Sequence, residues 1–87
     1  MKIGDIVRHF KYETLSEEEK KQNKYIYRIV GFAEHTETGE KLVIYQAMYP
    51  PFNTYARPLE MFFSKVDRNK YPDIKQEYRL EKIDLYD

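Results

Sequence analysis

Tyrosine sets the limits on what this chain can become. Nine Tyr and five Phe stand among 87 residues, with no Trp and no Cys. Each phenol ring buries a large area and keeps a hydroxyl that needs water or a partner. Alanine is confined to Ala33, Ala47 and Ala56, and a chain rich in Tyr and poor in Ala favours strands over helices. Large rings also suit a small barrel, whose narrow interior a few of them fill. A domain of this length is marginal without help. Dense aromatic packing is one source of help and self-association is the other.

The length allows one domain, residues 1–87, because it cannot supply a second core. Fifteen basic and fifteen acidic residues cancel to a formal net charge of zero. A non-specific nucleic-acid binder needs a basic excess to displace counterions, and a polybasic membrane anchor needs one too. The lack of cysteine removes disulfides, thiolate metal sites and a Cys nucleophile. No apolar run approaches the ~20 residues of a membrane helix. Met1-Lys2-Ile3-Gly4-Asp5 has no apolar signal core, so the expectation is a cytoplasmic chain.

The hydropathy pattern predicts strands over Ile3–Lys11, Tyr25–Glu34, Lys41–Tyr49 and Gln76–Ile83. A short extended stretch, Tyr55-Ala56-Arg57, precedes Pro58, which biases its neighbour to extended geometry. In the first strand Ile6, Arg8 and Phe10 share one face, with Val7 and His9 on the other. In the second, Tyr25, Tyr27, Ile29, Gly31 and Ala33 oppose Ile26, Arg28, Val30 and Phe32, and Gly31 marks a bend or bulge. In the third, Val43, Tyr45, Ala47 and Tyr49 oppose Leu42, Ile44, Gln46 and Met48. His35-Thr36-Glu37-Thr38-Gly39-Glu40 is a hairpin connection. Pro50-Pro51 marks a loop, and Pro58 seeds one helical turn over 59–63.

Residues 13–24 break the strand pattern. Ser16 and Glu19 have capping-box spacing, acidic residues come early and lysines late, and Glu17 with Lys21 is an i,i+4 pair. The expectation is a helix of about two turns within an insertion at about 14–23. It serves as a solvated excursion or as a lid.

These elements predict a mainly β domain: a small antiparallel SH3-like barrel or roll with a short helical insertion after the first strand. An α+β two-layer sandwich, with the inserted helix on the sheet, is the alternative.

Several spacings carry a resemblance. Arg8-His9, His35-Thr36-Glu37-Thr38-Gly39-Glu40, Val43-Ile44-Tyr45, Arg57-Pro58-Leu59-Glu60-Met61-Phe62 and Val66 stand in the order of a bacterial family, the domain of unknown function numbered 1653. The resemblance spans most of residues 4–67. It departs at the 13–24 insertion, where relatives have a short glycine turn, and at Tyr55-Ala56, where they carry an aromatic-tryptophan pair. It implies an SH3-like barrel or roll and names no activity, cofactor or catalytic residue.

The candidate ligand-binding residues are His35, Glu37, Tyr45, Tyr55 and Arg57. His35 enters the hairpin with Glu34, Glu37 and Arg57 as prospective neighbours. An imidazole and a guanidinium together can clamp a carboxylate or phosphate. The competing reading gives His35 a structural task, bonding backbone groups that the turn leaves unpaired, and gives Arg57 an internal ion pair. Tyr45, Tyr49, Tyr55 and Phe52 flank the proline loop. SH3-like barrels use such rings as peptide grooves, but alternation with Val43 points Tyr45 inward. His9 and His35 are the only histidines, and no His-x-x-x-His spacing supports a metal. There is no P-loop, dinucleotide glycine motif or Gly-x-Ser-x-Gly elbow, and no cofactor is expected.

Three functional readings follow. The first is a non-catalytic binding module for a peptide, a protein surface or a small anionic ligand. The second is a nucleic-acid module using aromatic stacking with Arg8, Arg28 and Arg57. The third is a small hydrolase-like enzyme built on His35 and Glu37. No membrane partner is expected.

Overall fold

The computed structural model describes residues 1–84. Leu85-Tyr86-Asp87, expected to fray, lie outside the described residues. Five antiparallel strands form one sheet: β1 (Ile6–His9), β2 (Ile26–Glu34), β3 (Lys41–Ala47), β4 (Thr54–Pro58) and β5 (Leu80–Ile83), in the order β4-β3-β2-β1-β5. Two short helices accompany it, α1 (Glu17–Lys21) and α2 (Leu59–Phe62), with a 3-10 turn over Phe10–Thr14. No helix among the described residues is long and apolar enough to cross a membrane.

Of the expected barrel or roll, the mainly β antiparallel character is present, and the sheet does not close into a barrel. β4 and β5 are the two edges of the ladder, and the named strands do not join across them. The fold is a mainly β, open antiparallel sheet. The expected closing strand over Gln76–Ile83 is reduced to Leu80–Ile83. The segment before it is irregular, with an isolated bridge from Lys65 to Tyr78 and single backbone bonds such as Val66 N–H to the Glu77 carbonyl. Side-chain bonding explains the shortening. Gln76 is buried and its amide nitrogen donates to the Arg8 and Tyr78 carbonyls, each at 2.9 Å.

Strand alternation sorts the sheet into two faces. Val7 stands opposite Tyr27, Ile29 opposite Tyr45, and Tyr45 opposite Tyr55, so these residues share the inner face. The main core lies there, with Val7, Ile29, Val43 and Phe62 fully buried. Pro58 caps α2, which swings Phe62 onto Tyr45, with ring centroids 5.3 Å apart. A second, smaller cluster joins Phe10, Val66 and Ile74.

One expected face needs correction. Ile29 pairs with Tyr45 but Gly31 pairs with Ile44, leaving Val30 as an extra residue. This bulge reverses the alternation beyond it. Phe32 therefore lies opposite Val43 on the inner face, and Ala33 lies opposite Leu42 on the outer one. The bend expected at Gly31 is present, but the phase change it brings is not visible in composition.

The insertion has the local chemistry that the sequence predicts. Ser16 and Glu19 form the reciprocal capping box, and α1 buries no residue. The helix is shorter than expected, at five residues. Its ion pairs are Glu17–Lys20 and Glu18–Lys21, at i,i+3 spacing, where Glu17–Lys21 was expected.

Candidate functional site

The inner face is built from tyrosine. Tyr27 and Tyr45 meet edge to face at 5.2 Å, and Tyr45 and Tyr55 lie 5.7 Å apart. The Tyr27 and Tyr49 hydroxyls bond at 3.0 Å. Burial, reinforced by that bond, pushes the Tyr27 phenol far above the usual tyrosine range. Tyr45 is buried, as its alternation with Val43 predicts, while Tyr55 stays 41% exposed at the sheet edge. Tyr25 and Tyr49 are half-buried beside them. The face thus has a packed aromatic floor and a partly wet aromatic rim.

Arg57 follows Tyr55 on β4 and stands opposite Val43, which places it on the same inner face. Its Nη1 is buried and has no hydrogen-bond partner among the described residues. A buried donor left unpaired costs about 1–3 kcal/mol, and more when charged. The internal ion pair that the competing reading gives Arg57 is not among those observed in the described residues. Glu34 is taken by Lys41 at 2.8 Å.

His9 is the residue that sequence reasoning passed over. It lies two residues beyond Val7 on β1, on the inner face, with its ring 5.8 Å from Tyr25. Its Nδ1 caps the 3-10 turn by accepting the Lys11 N–H at 3.1 Å. Burial, followed by the positive charges of Arg57, Lys11 and Arg79, pushes the imidazole down to about 4. On a flat sheet His9 and Arg57 would stand at opposite corners, roughly 25 Å apart at ~4.8 Å per strand and ~3.4 Å per residue. One arginine side chain cannot span that distance. The chain beyond β4 nevertheless returns to the β1 corner: Ser64, just after α2, accepts the Arg79 N–H, and the Arg79 carbonyl accepts the N–H of Phe10, next to His9 in sequence. The only hint in the sequence is that His9 shares alternation with Val7.

His35 and Glu37 are placed together, apart from this group. They sit in the β2–β3 hairpin, where the Glu37 N–H donates to His35 Nδ1 at 3.2 Å. The His35 backbone bonds Glu40 and Gly39 across the same turn. Gly39 has φ of 73°, the left-handed geometry that favours glycine. The five candidates thus separate into a hairpin pair, His35 and Glu37, and an inner-face trio, Tyr45, Tyr55 and Arg57.

Other surfaces offer less. Arg8 and Arg28 lie on the outer face, given the pairings of Arg8 with Ile26 and Ile6 with Arg28. Arg8 sits over the Tyr12 ring at 5.2 Å and also reaches Gln76. The three arginines therefore do not share one surface. A wide, open depression of about 650 Å³ lies between β1, β2 and β5, near Asp5, Arg28 and Lys82. Asp5 is satisfied there by the Lys2 N–H at 2.8 Å and by Lys82 at 3.8 Å. Among the described residues, no three His, Asp or Glu side chains gather into a metal set.

No curated protein and no solved structure matches the chain. A family match covers residues 5–82, nearly the whole of it, and takes in the 13–24 insertion and the inner-face residues alike. The chain belongs to the family described as protein of unknown function DUF1653.

Proposed function

We propose that the chain is a non-catalytic binding module whose inner face takes a ligand with an anionic group and an apolar or planar body. One observation carries this reading, the buried Arg57 Nη1 without a partner. A ligand oxygen would satisfy it with a charge-assisted bond. The chain is neutral overall, so the fixed charge of Arg57 itself, and no general basic excess, would draw the anion. The exposed ring of Tyr55 and the partly exposed rings of Tyr25 and Tyr49 offer the apolar contact. The same reading treats the fold as an SH3-like roll left open at one side. Support comes from a four-strand meander whose fifth strand returns beside the first.

The test is a titration with benzoate, phenyl phosphate and inorganic phosphate, followed by NMR. Signals of Tyr55 and Arg57 should shift, with the aromatic anions binding tighter than inorganic phosphate. Arg57→Lys keeps a charge but loses the planar fork. It should weaken binding by about tenfold or more while the fold persists. Equal binding by Arg57→Lys, or no shift with any of the three probes at millimolar concentration, overturns the reading.

A further inference from the structure

We propose that the depression beside Tyr12 is a separate anion site, in which Arg8, Lys20 and Lys75 take the oxygens of a small phosphate-chain anion of the pyrophosphate class. It shares no residue with the inner-face trio and does not depend on that reading.

The site begins with one ring. Tyr12 lies half-buried in the 3-10 turn. The Arg8 guanidinium carbon sits 5.2 Å and the Lys20 Nζ 5.4 Å from its ring centre. The negative face of the phenol ring attracts both cations. Arg8 comes from β1 and Lys20 from α1, so the ring gathers charges that lie apart in sequence. The capping box of Ser16 and Glu19 fixes how α1 leaves the turn. Lys20 is held in, with 29% of its side chain exposed, whereas Lys21 next to it is 75% exposed.

Arg8, Tyr12 and Lys20 line one open, mainly polar depression of about 570 Å³, together with Glu13, Asp73 and Lys75. Glu13 is committed to the fold, since both of its oxygens accept backbone N–H groups, from Lys75 and Gln76. Asp73 is exposed. The ion pairs observed among the described residues include none of Arg8 or Lys75. Lys20 has a contact of 3.7 Å to Glu17, whose side chain is 85% exposed, and water screens such a pair. Arg8 reaches Gln76 through Nε at 3.4 Å, which leaves the two terminal nitrogens of its fork to a ligand. Two cations drawn to one ring repel each other, and an anion between them relieves that repulsion. Because both already lie over the ring, it has little open face for stacking, and the site selects charge. A single phosphate keeps its oxygens within one tetrahedron. A phosphate chain spreads them, which suits cations carried on β1, α1 and the segment before β5.

Titration calorimetry with pyrophosphate and inorganic phosphate at matched ionic strength tests the site, with NMR to locate the binding. Pyrophosphate should bind about tenfold or more tighter than inorganic phosphate. It should move the signals of Tyr12 and of the Lys20 side chain and leave those of Tyr55 in place. Lys20→Gln removes one cation from a helix that buries no residue, so the fold should persist while pyrophosphate binding weakens by about tenfold. Arg8→Gln should weaken it at least as much. Lys21→Gln is the control and should change it by less than about twofold. Where Arg8→Gln fails to fold, Lys20→Gln against Lys21→Gln still decides. Equal losses in those two variants overturn the site in favour of a diffuse basic surface. Absence of both heat and shifts at millimolar pyrophosphate overturns it, as do shifts confined to Tyr55 and Arg57, which would assign the anion to the inner face. Equal affinity for pyrophosphate and inorganic phosphate overturns the phosphate chain. A single-stranded oligonucleotide that displaces pyrophosphate from the same signals at lower concentration overturns it in favour of a nucleic-acid backbone.

Discussion

The Glu13 carboxylate accepts the backbone N–H groups of Lys75 and Gln76 at 2.9 and 2.7 Å, across 62 residues of sequence from Lys75. One side chain at the start of the insertion thus ties the irregular segment before β5 to the 3-10 turn. Arg68 adds to the tie through bonds to the Ile74 and Gln76 carbonyls. Excursion and anchor therefore begin within a few residues of one another.

Glu13→Ala should destabilise the fold by about 2 kcal/mol, the scale of hydrogen bonds to a charged acceptor. Replacing Thr14–Asn23 with a short glycine turn should leave cooperative unfolding in place, because α1 buries no residue and loop length itself contributes little. Denaturant unfolding of both variants checks the pair. A shortened chain that loses its cooperative transition would place Leu15 and α1 in the core.

Tyr45 stands in the centre of the aromatic floor, touching Tyr27, Tyr55 and Phe62. Tyr45→Ala should lose roughly 3–5 kcal/mol, the range for truncating a large buried ring. That is a large share of the stability of a small domain. A loss below about 1 kcal/mol, as at surface positions, would contradict its burial.

Stability should fall with acid in a way that depends on His9. Its folded value of about 4 lies below the ordinary 6.5. The unfolded chain therefore binds this proton first, and stability rises with pH between the two values. The contribution is complete above about pH 6.5 and is lost as pH falls through about 4. The full difference corresponds to roughly 3 kcal/mol, and solvent screening of the partly exposed ring reduces it to about 1–2 kcal/mol. Carboxylates titrate in the same window, so the measurement is the difference between wild type and His9→Asn, followed by denaturant unfolding from pH 7 to pH 4.

Tyr27 should resist ionisation. Its phenol is buried and bonded to Tyr49. In an ultraviolet titration, part of the signal from the nine tyrosines should appear only when the chain unfolds in alkali. Tyr27→Phe should remove that late component and cost about 1 kcal/mol for the lost hydrogen bond. A titration complete before unfolding would count against its burial.

Local signals in the sequence translated well, and long-range ones did not. Ser16 and Glu19 encode the capping box in four residues, and it is present. Alternation along 43–47 correctly turns Val43, Tyr45 and Ala47 inward. Pro58 foretold both the extended Arg57 and the helical turn after it. The return of the chain after α2 to the β1 corner, through Ser64 and Arg79, depends on long-range packing that no local pattern records. The candidate site was therefore half legible. Tyr45, Tyr55 and Arg57 share the inner face, whereas His35 was paired with Arg57 on the assumption that strand ends meet. The open edges were also illegible, because barrel closure depends on how β4 and β5 end.

The extra residue at Val30 divides the β2–β3 hairpin into two halves that keep separate phase. In a two-faced sheet, gaining or losing one residue within a strand normally turns every later side chain inside out. Here the change of phase is already absorbed between Ile29 and Gly31, so an indel at that point would leave Tyr27, Ile29 and Tyr45 where they are. Only Phe32, Ala33 and the hairpin tip would exchange sides. The tip that carries His35 and Glu37 can thus vary in length and aim over descent while the tyrosine floor stays fixed.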